Sequence, residues 1–126
     1  MMERLIAILF VSREFAHRRH LAVTGSGSYA AHVALGSFFD DIIANADKIA
    51  EAYQGRHGLM DEIPYLSCPT GKKSIAATAT WLENQMELIT EMRYDACPKT
   101  ETAIQNLIDE AVATYLSTLY KLRNLE

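Results

Sequence analysis

Apolar residues recur at helical spacing along four segments of the chain. In residues 3–22 they fall at positions i, i+3 and i+4, which is typical of an amphipathic helix. The same spacing returns in residues 28–54, in residues 72–94, and from Thr102 to the C-terminus. Ala, Leu, Ile, Glu and Met dominate these segments, and those residue types favour helix. The pattern predicts an all-α chain that forms one domain over residues 1–126.

The connections between these helices differ in length. The Gly-Ser stretch 25–28 separates the first two helices, and Ser26 or Ser28 could cap the second. Residues 95–99 form a short turn before the fourth helix, where Thr102 and Gln105 have the spacing of a capping box. Two helical hairpins are therefore expected.

A long segment joins the two hairpins. Residues 55–71 number 17 and contain Gly and Pro in mixed polarity. Such a segment can extend over at most ~56 Å, whereas the helices to be spanned are ~35 Å long. The segment can thus cross the bundle from end to end. This predicts a ferritin-like four-helix bundle with a long crossover between the second and third helices.

Charge and apolar runs exclude some classes of partner. The formal net charge of −4 provides no general attraction to DNA or to an anionic membrane. The apolar run 5–11 is far shorter than the ~20 residues that span a bilayer, and no small-residue cleavage site follows it. We expect a cytoplasmic protein that binds neither DNA nor membrane.

The two cysteines lie at opposite ends of the third predicted helix. Cys68 and Cys97 would be separated by ~34 Å along that helix, and a disulfide needs Cα atoms within ~7 Å. Free thiols in a reducing compartment are therefore expected. No CxxC or HxxxH motif accompanies them, so a cysteine-based zinc site is not predicted. His57 is expected to lie in solvent.

The second predicted helix has two lines of residues that suit burial. One is an ordinary core stripe and contains Leu35, Phe38, Ile42, Ala46, Ile49 and Tyr53. The other mixes small, apolar and polar residues and contains His32, Gly36, Ile43, Asp47, Ala50 and Glu51. Burying both lines requires another subunit. The pattern predicts a homodimer through this helix, in which small residues such as Gly36 allow close approach.

Four residues on and beside this helix are candidate metal ligands. Asp47 and Glu51 stand one turn apart on one face. His32 lies ~22 Å away along the axis and cannot reach them within its own helix. In an antiparallel pair of these helices, His32 of one copy would reach both carboxylates of the other, and His20 could approach the same point. Two imidazoles and two carboxylates suit iron, with zinc as a substitute. The alternative is an exposed acidic pair without a ligand.

At these four residues the chain resembles the mini-ferritins of the Dps family. The second His follows the first by 12 positions, the Asp follows by 15, and the Glu follows by four, as in that family. The resemblance implies a ferroxidase centre shared across a dimer interface, where Fe(II) is oxidised by peroxide or oxygen and then stored. The segments SYAAHVALGSFFDDI, YQG and YKLRNL also resemble small bacteriophage proteins thought to be ferritin-like, which implies the host cytoplasm.

The chain departs from the mini-ferritin pattern in several respects. Leu21 stands where the family has a tryptophan, and Gly36 stands where some members have a further carboxylate. The lysine-rich N-terminal tail with which many members bind DNA is not expected. Because the chain is shorter than those of the family, the twelve-subunit cage of the family is not predicted for it. The second function class is a non-catalytic helical oligomer with a structural or partner-binding role.

Overall fold

The computed structural model describes residues 1–126 and contains four long helices and no strand. Their bounds are Met2–Ala22 (α1), Ser28–His57 (α2), Ile75–Ala96 (α3) and Thr102–Asn124 (α4). The predicted all-α four-helix bundle is confirmed. None of the four combines the length and the apolar character that a membrane-crossing helix needs.

The helices form a square in cross-section. α1 packs against α2 and α3, and α4 packs against the same two helices, so that α2 and α3 lie on a diagonal. The guanidinium of Arg19, near the end of α1, donates to the Lys73 carbonyl just before α3. The ring of His57, at the end of α2, contacts the Glu101 carboxylate just before α4. α2 and α3 therefore run parallel, and α1 and α4 run in the opposite direction.

The segment between α2 and α3 follows α1 along its length. At one end the backbone N–H of Asp61 donates to the Glu3 carboxylate, 3.1 Å away, beside the start of α1. At the other end Lys73 meets Arg19 near the end of α1. Ile63 packs against the core midway. The predicted crossover from one end of the bundle to the other is thus confirmed.

A single apolar cluster of 26 buried residues fills the space between the helices. At its centre the Tyr115 ring packs edge-on against Phe38, with the centroids 5.1 Å apart. The Tyr115 hydroxyl donates to Ser12 Oγ at 2.6 Å, since a buried hydroxyl needs a partner. Burial raises the pKa of this phenol above its ordinary value of 10.0. The core joins α1, α2 and α4 at this level.

The helix starts differ from those expected. α2 begins after Gly27, which has a positive φ of 77°, and neither Ser26 nor Ser28 caps it with a side-chain hydrogen bond. α3 begins at Ile75 and not at 72, because Ser74 caps it by accepting from a backbone N–H.

The capping box expected at α4 does not form. Glu101 is the N-cap residue, and Thr102 is already helical. Gln105 is buried, and its amide donates to the backbone carbonyls of Arg93 and Cys97. The Gln105 side chain, which was expected to cap α4, instead points into the bundle and stabilises the α3–α4 turn through these hydrogen bonds.

Candidate metal centres

His20 and His32 form a reciprocal pair where α1 meets α2. His20 Nδ1 lies 2.6 Å from the His32 carbonyl oxygen, and His32 Nδ1 lies 2.7 Å from the His20 carbonyl oxygen. The two rings stack with their centroids 3.7 Å apart and their planes 18° apart. The short Gly-Ser connection allows this, since it turns the chain back on itself between the two residues. The structure thus brings together two of the four predicted ligands.

The hydrogen bonds determine which ring nitrogen is free. A carbonyl oxygen only accepts, so Nδ1 must carry the proton in both rings. In a neutral imidazole of this tautomer, Nε2 has the lone pair and can bind a metal ion. Neither His20 nor His32 uses Nε2 in a hydrogen bond within the chain. A backbone carbonyl on the other nitrogen is the usual arrangement that orients a metal-binding histidine.

Gly36 provides the space in which the His20 ring lies. A Cβ at this position would be 3.0 Å from His20 Cε1 and 3.2 Å from His20 Nδ1. A ring of the same chain therefore lies directly against Gly36. Any side chain at this position must displace His20.

Phe39 supports the pair from the next turn of α2. Its ring meets the His20 ring edge-on at 5.3 Å and stacks on His17 at 4.2 Å, with the planes 18° apart. Both rings of the His20–His32 pair are half-buried. Apolar contact on one side and backbone hydrogen bonds on the other restrict the rotation of His20.

Asp47 and Glu51, the other two predicted ligands, lie near the opposite end of α2. Both are exposed, and neither has a hydrogen bond or ion pair within the chain. They stand one turn apart on a common face of the helix. The structure does not bring them to the His20–His32 pair of the same chain, which agrees with the ~22 Å helical separation.

A second group of potential ligands lies where α2, α3 and α4 meet. Ligand atoms of His57, Cys97 and Glu101 all lie within 4.8 Å of one another. His57 Nε2 is 2.8 Å from Glu101 Oε2, and the Cys97 thiol donates to the same oxygen at 2.7 Å. His57 is exposed, as expected, but its ring contacts Glu101, because the end of α2 meets the start of α4.

The group has a distinct electrostatic character. Burial, reinforced by the hydrogen bond to Glu101, raises the pKa of the Cys97 thiol to about 12. The hydrogen bonds from Cys97 and His57 lower the pKa of Glu101 below its ordinary 4.5. Near neutral pH the thiol is therefore protonated and the carboxylate ionised, and His57 Nε2 lies within hydrogen-bond distance of that carboxylate. Since a nucleophilic cysteine needs a lowered pKa, this thiol is not poised for nucleophilic attack.

Sequence reasoning missed this group because its members are far apart along the chain. His57 precedes Glu101 by 44 positions, and no motif connects them. The only local signal is that Cys97 and Glu101 are four positions apart across a turn. Cys68 does not take part, and both cysteines are free, as their spacing predicted.

Comparison with known proteins assigns the chain to a family without assigning a function. Residues 20–122 match the model of a family of unknown function (DUF5856), and the chain belongs to that family. No curated protein matches the chain, and neither does any solved structure. All seven candidate ligands of the two groups lie within the matched residues.

Proposed function

We propose that this member of a family of unknown function binds Fe(II) and oxidises it at a site shared by two copies of the chain. His20 and His32 of one copy supply imidazole nitrogens, and Asp47 and Glu51 of the other supply carboxylate oxygens. The reciprocal histidine pair carries the proposal, because it directs Nδ1 of both rings to carbonyls and leaves both Nε2 atoms available. Mixed imidazole and carboxylate donors suit iron.

The composition of the α2 face that holds these residues favours pairing with a second copy of the chain. Tyr29 and Val33, beside His32, are 79% and 48% exposed and give the face an apolar contribution. Antiparallel pairing of two α2 helices about a two-fold axis forms two equivalent sites per dimer. Each site then draws its histidines from one copy and its carboxylates from the other.

The donor set favours the oxidised ion. Two carboxylates place two negative charges beside the ion, and the attraction is stronger for Fe(III) than for Fe(II) because it scales with ionic charge. Each Fe(II) gives up one electron, and one hydrogen peroxide takes two electrons and two protons to become two waters. Oxygen is the alternative oxidant. Larger assemblies would store or sequester the ferric product.

The experiment compares ligand variants in Fe(II) oxidation. Wild-type protein, His32→Ala and Glu51→Gln receive Fe(II) anaerobically and then peroxide or oxygen, and ferric product is followed by near-ultraviolet absorbance. Both variants should lose at least about tenfold in rate, because each removes a direct ligand. Glu87→Gln is the matched control, since Glu87 is an exposed carboxylate on α3.

Subunit mixing tests whether the site is shared. His32→Ala and Glu51→Gln chains are each inactive alone, but their heterodimer contains one intact site. After random exchange, about a quarter of all sites should be restored. If all four ligands acted within one chain, mixing would restore nothing.

If both ligand variants oxidised Fe(II) at the wild-type rate, the proposed iron oxidation would be rejected. The fold would then serve the alternative role of a non-catalytic helical oligomer. Sedimentation of the wild-type protein separates the remaining cases, because a monomer at all concentrations would exclude that alternative as well.

A further inference from the structure

We propose that His57, Cys97 and Glu101 form a second metal site, complete within one chain, for a thiophilic divalent ion of the zinc class. The three donors are an imidazole nitrogen, a sulfur and a carboxylate oxygen, which is a set that Zn²⁺ accepts in proteins. The proposal is independent of the iron site, because the two groups share no residue. His32 and His57 lie ~37 Å apart along α2.

The observed distances are close to those of a bound site. Zinc holds nitrogen and oxygen at about 2.0–2.1 Å and sulfur at about 2.3 Å, so tetrahedral ligand atoms are about 3.3–3.6 Å apart. In the structure, His57 Nε2 and Cys97 Sγ both lie under 3 Å from Glu101 Oε2, at 2.8 Å and 2.7 Å. The two distances to Glu101 Oε2 would each lengthen by less than about 1 Å on binding, and the third pair, His57 Nε2 and Cys97 Sγ, lies within 4.8 Å. A water completes the set of four.

The positions of the donors in the helices favour a cation. His57 is the last residue of α2, and Cys97 is the C-cap of α3. The carbonyl ends of two helices carry partial negative charge. Glu101 is the N-cap of α4, and the hydrogen bonds from Cys97 and His57 lower the pKa of its carboxyl group, so that it stays ionised. A cation therefore meets two negative helix ends and an anchored carboxylate.

Neighbouring side chains fit this role. The Tyr53 ring packs against the His57 imidazole with the centroids 4.5 Å apart, which restricts the ring. Arg56 Nε lies 3.8 Å from Glu101 Oε1, the oxygen that the other two donors do not use. Its side chain is 66% exposed, so it can withdraw into solvent when a cation arrives. With thiolate, carboxylate and zinc the site is neutral.

Metal binding at this site exchanges protons for the ion. The proton that the Cys97 thiol donates to Glu101 must leave, because only the thiolate is a ligand. Apparent affinity should consequently rise about tenfold per pH unit around neutrality. A site without the thiolate would show a smaller slope.

The experiment uses Co²⁺ as a spectroscopic substitute for Zn²⁺ with the full chain. To silence the other histidine pair, the titration is performed in a His32→Ala background. A thiolate-to-cobalt charge-transfer band should appear and saturate at one ion per chain, and Zn²⁺ should bleach it. Cys97→Ser should remove the band, and Cys68→Ser, the matched control, should retain it.

Thermal unfolding gives a second readout. Zinc at a hundredfold excess over its dissociation constant should raise the melting temperature by about 5–10 °C, because the ion joins three helices and binds only the folded chain. His57→Gln should lose most of this shift and should weaken cobalt binding at least about tenfold. His57 is partly exposed, so this variant keeps the test valid if Cys97→Ser fails to fold.

Three outcomes overturn the proposal: no charge-transfer band, a band lost with Cys68 but not with Cys97, or no change on His57→Gln. Each of these outcomes can be distinguished from a failure of the proposed iron site. Cys97→Ser is expected to keep wild-type Fe(II) oxidation, whereas His32→Ala abolishes oxidation and keeps the zinc shift.

Discussion

The two ends of α2 hold histidines in different surroundings. At its start, His32 and His20 bond to each other's backbone carbonyls, and neither ring bonds to a carboxylate. At its end, His57 bonds to the Glu101 carboxylate, which also accepts from the Cys97 thiol. In the first pair, neither Nε2 atom has a hydrogen-bond partner. In the second group, hydrogen bonds join the imidazole and the thiol to one carboxylate.

Under the two proposals, the difference amounts to two ways of preparing a metal site. In the proposed iron site, backbone carbonyls orient the histidine pair and a second copy of the chain supplies the carboxylates. A group drawn from three helix ends is complete, but metal must displace its protons. Oligomeric state should control the first site, and pH should control the second. The predictions below separate these dependences.

The largest expected effect is a loss of folding stability at alkaline pH, caused by ionisation of the Cys97 thiol. Its pKa rises from 9.0 to about 12 on folding, so above pH 9 the unfolded chain binds fewer protons than the folded chain. The free energy of unfolding then falls as pH rises from about 9 towards 12. At about 1.4 kcal/mol per pKa unit, the loss by pH 11 reaches about 2–3 kcal/mol. Urea unfolding at pH 8 and pH 11 measures it.

Cys97→Ser is the control, because serine does not titrate in this range and can bond to Glu101. Its alkaline loss should be smaller by that same amount. Tyr115 also has a raised pKa and contributes equally to both proteins. Equal losses in wild type and Cys97→Ser would show that the thiol is not held protonated by the fold.

The next effect is on the histidine pair, through Gly36→Ala. The new Cβ would lie 3.0 Å from His20 Cε1, so the ring must move. We expect Fe(II) oxidation to fall about tenfold, or ~1.4 kcal/mol, while cobalt binding at the His57 group is unchanged. Gly55→Ala is the matched control on the same helix, because nothing lies within 4 Å of its Cβ. Equal oxidation rates in the two variants would contradict the role of Gly36.

Sequence patterns predicted the four-helix fold. They also indicated that His20 and His32 lie at one place, but they did not indicate the contacts of His57. Helical spacing is a local signal, and the length of the crossover limits the topology, so four helices and their order could be inferred. The approach of His20 to His32 follows from a short connection between adjacent helices. The contact of His57 with Cys97 and Glu101 depends on which helix ends meet, and periodicity does not encode this.

The failed capping prediction has a related cause. Gln105 has the spacing of a cap, but its amide bonds to the carbonyls of Arg93 and Cys97 inside the bundle. A buried carbonyl without a partner is costly, so the tertiary requirement prevails over the local motif. Spacing reports what a side chain can reach within its own segment, not what the rest of the fold requires.

A smaller effect concerns the pairing of two α2 helices near the middle of α2. Residue 40 lies midway between His32 and the Asp47–Glu51 pair, so antiparallel pairing brings Asp40 near its own copy at the two-fold axis. Like charges repel there, and Asp40→Asn should tighten the dimer several-fold, or by about 0.5–1 kcal/mol. Asp41→Asn is the control, because Asp41 points ~100° away around the helix. Sedimentation at several concentrations measures both, and an equal response would reject this register.

The smallest expected effect is on DNA, where we predict no binding. Non-specific affinity requires cations that neutralise phosphates, and the chain has a net charge of −4. The two ends of the bundle differ here as well, because the end that holds His20 also holds Arg18, Lys72 and Lys73. Arg18 pairs with Glu14 at 2.6 Å, so few cations are free even there, and a dimer doubles the net negative charge.

A gel shift at low salt should show no retarded band. A band that disappears as salt rises would contradict the prediction, and its loss in Lys72→Glu would locate the contact at the His20 end.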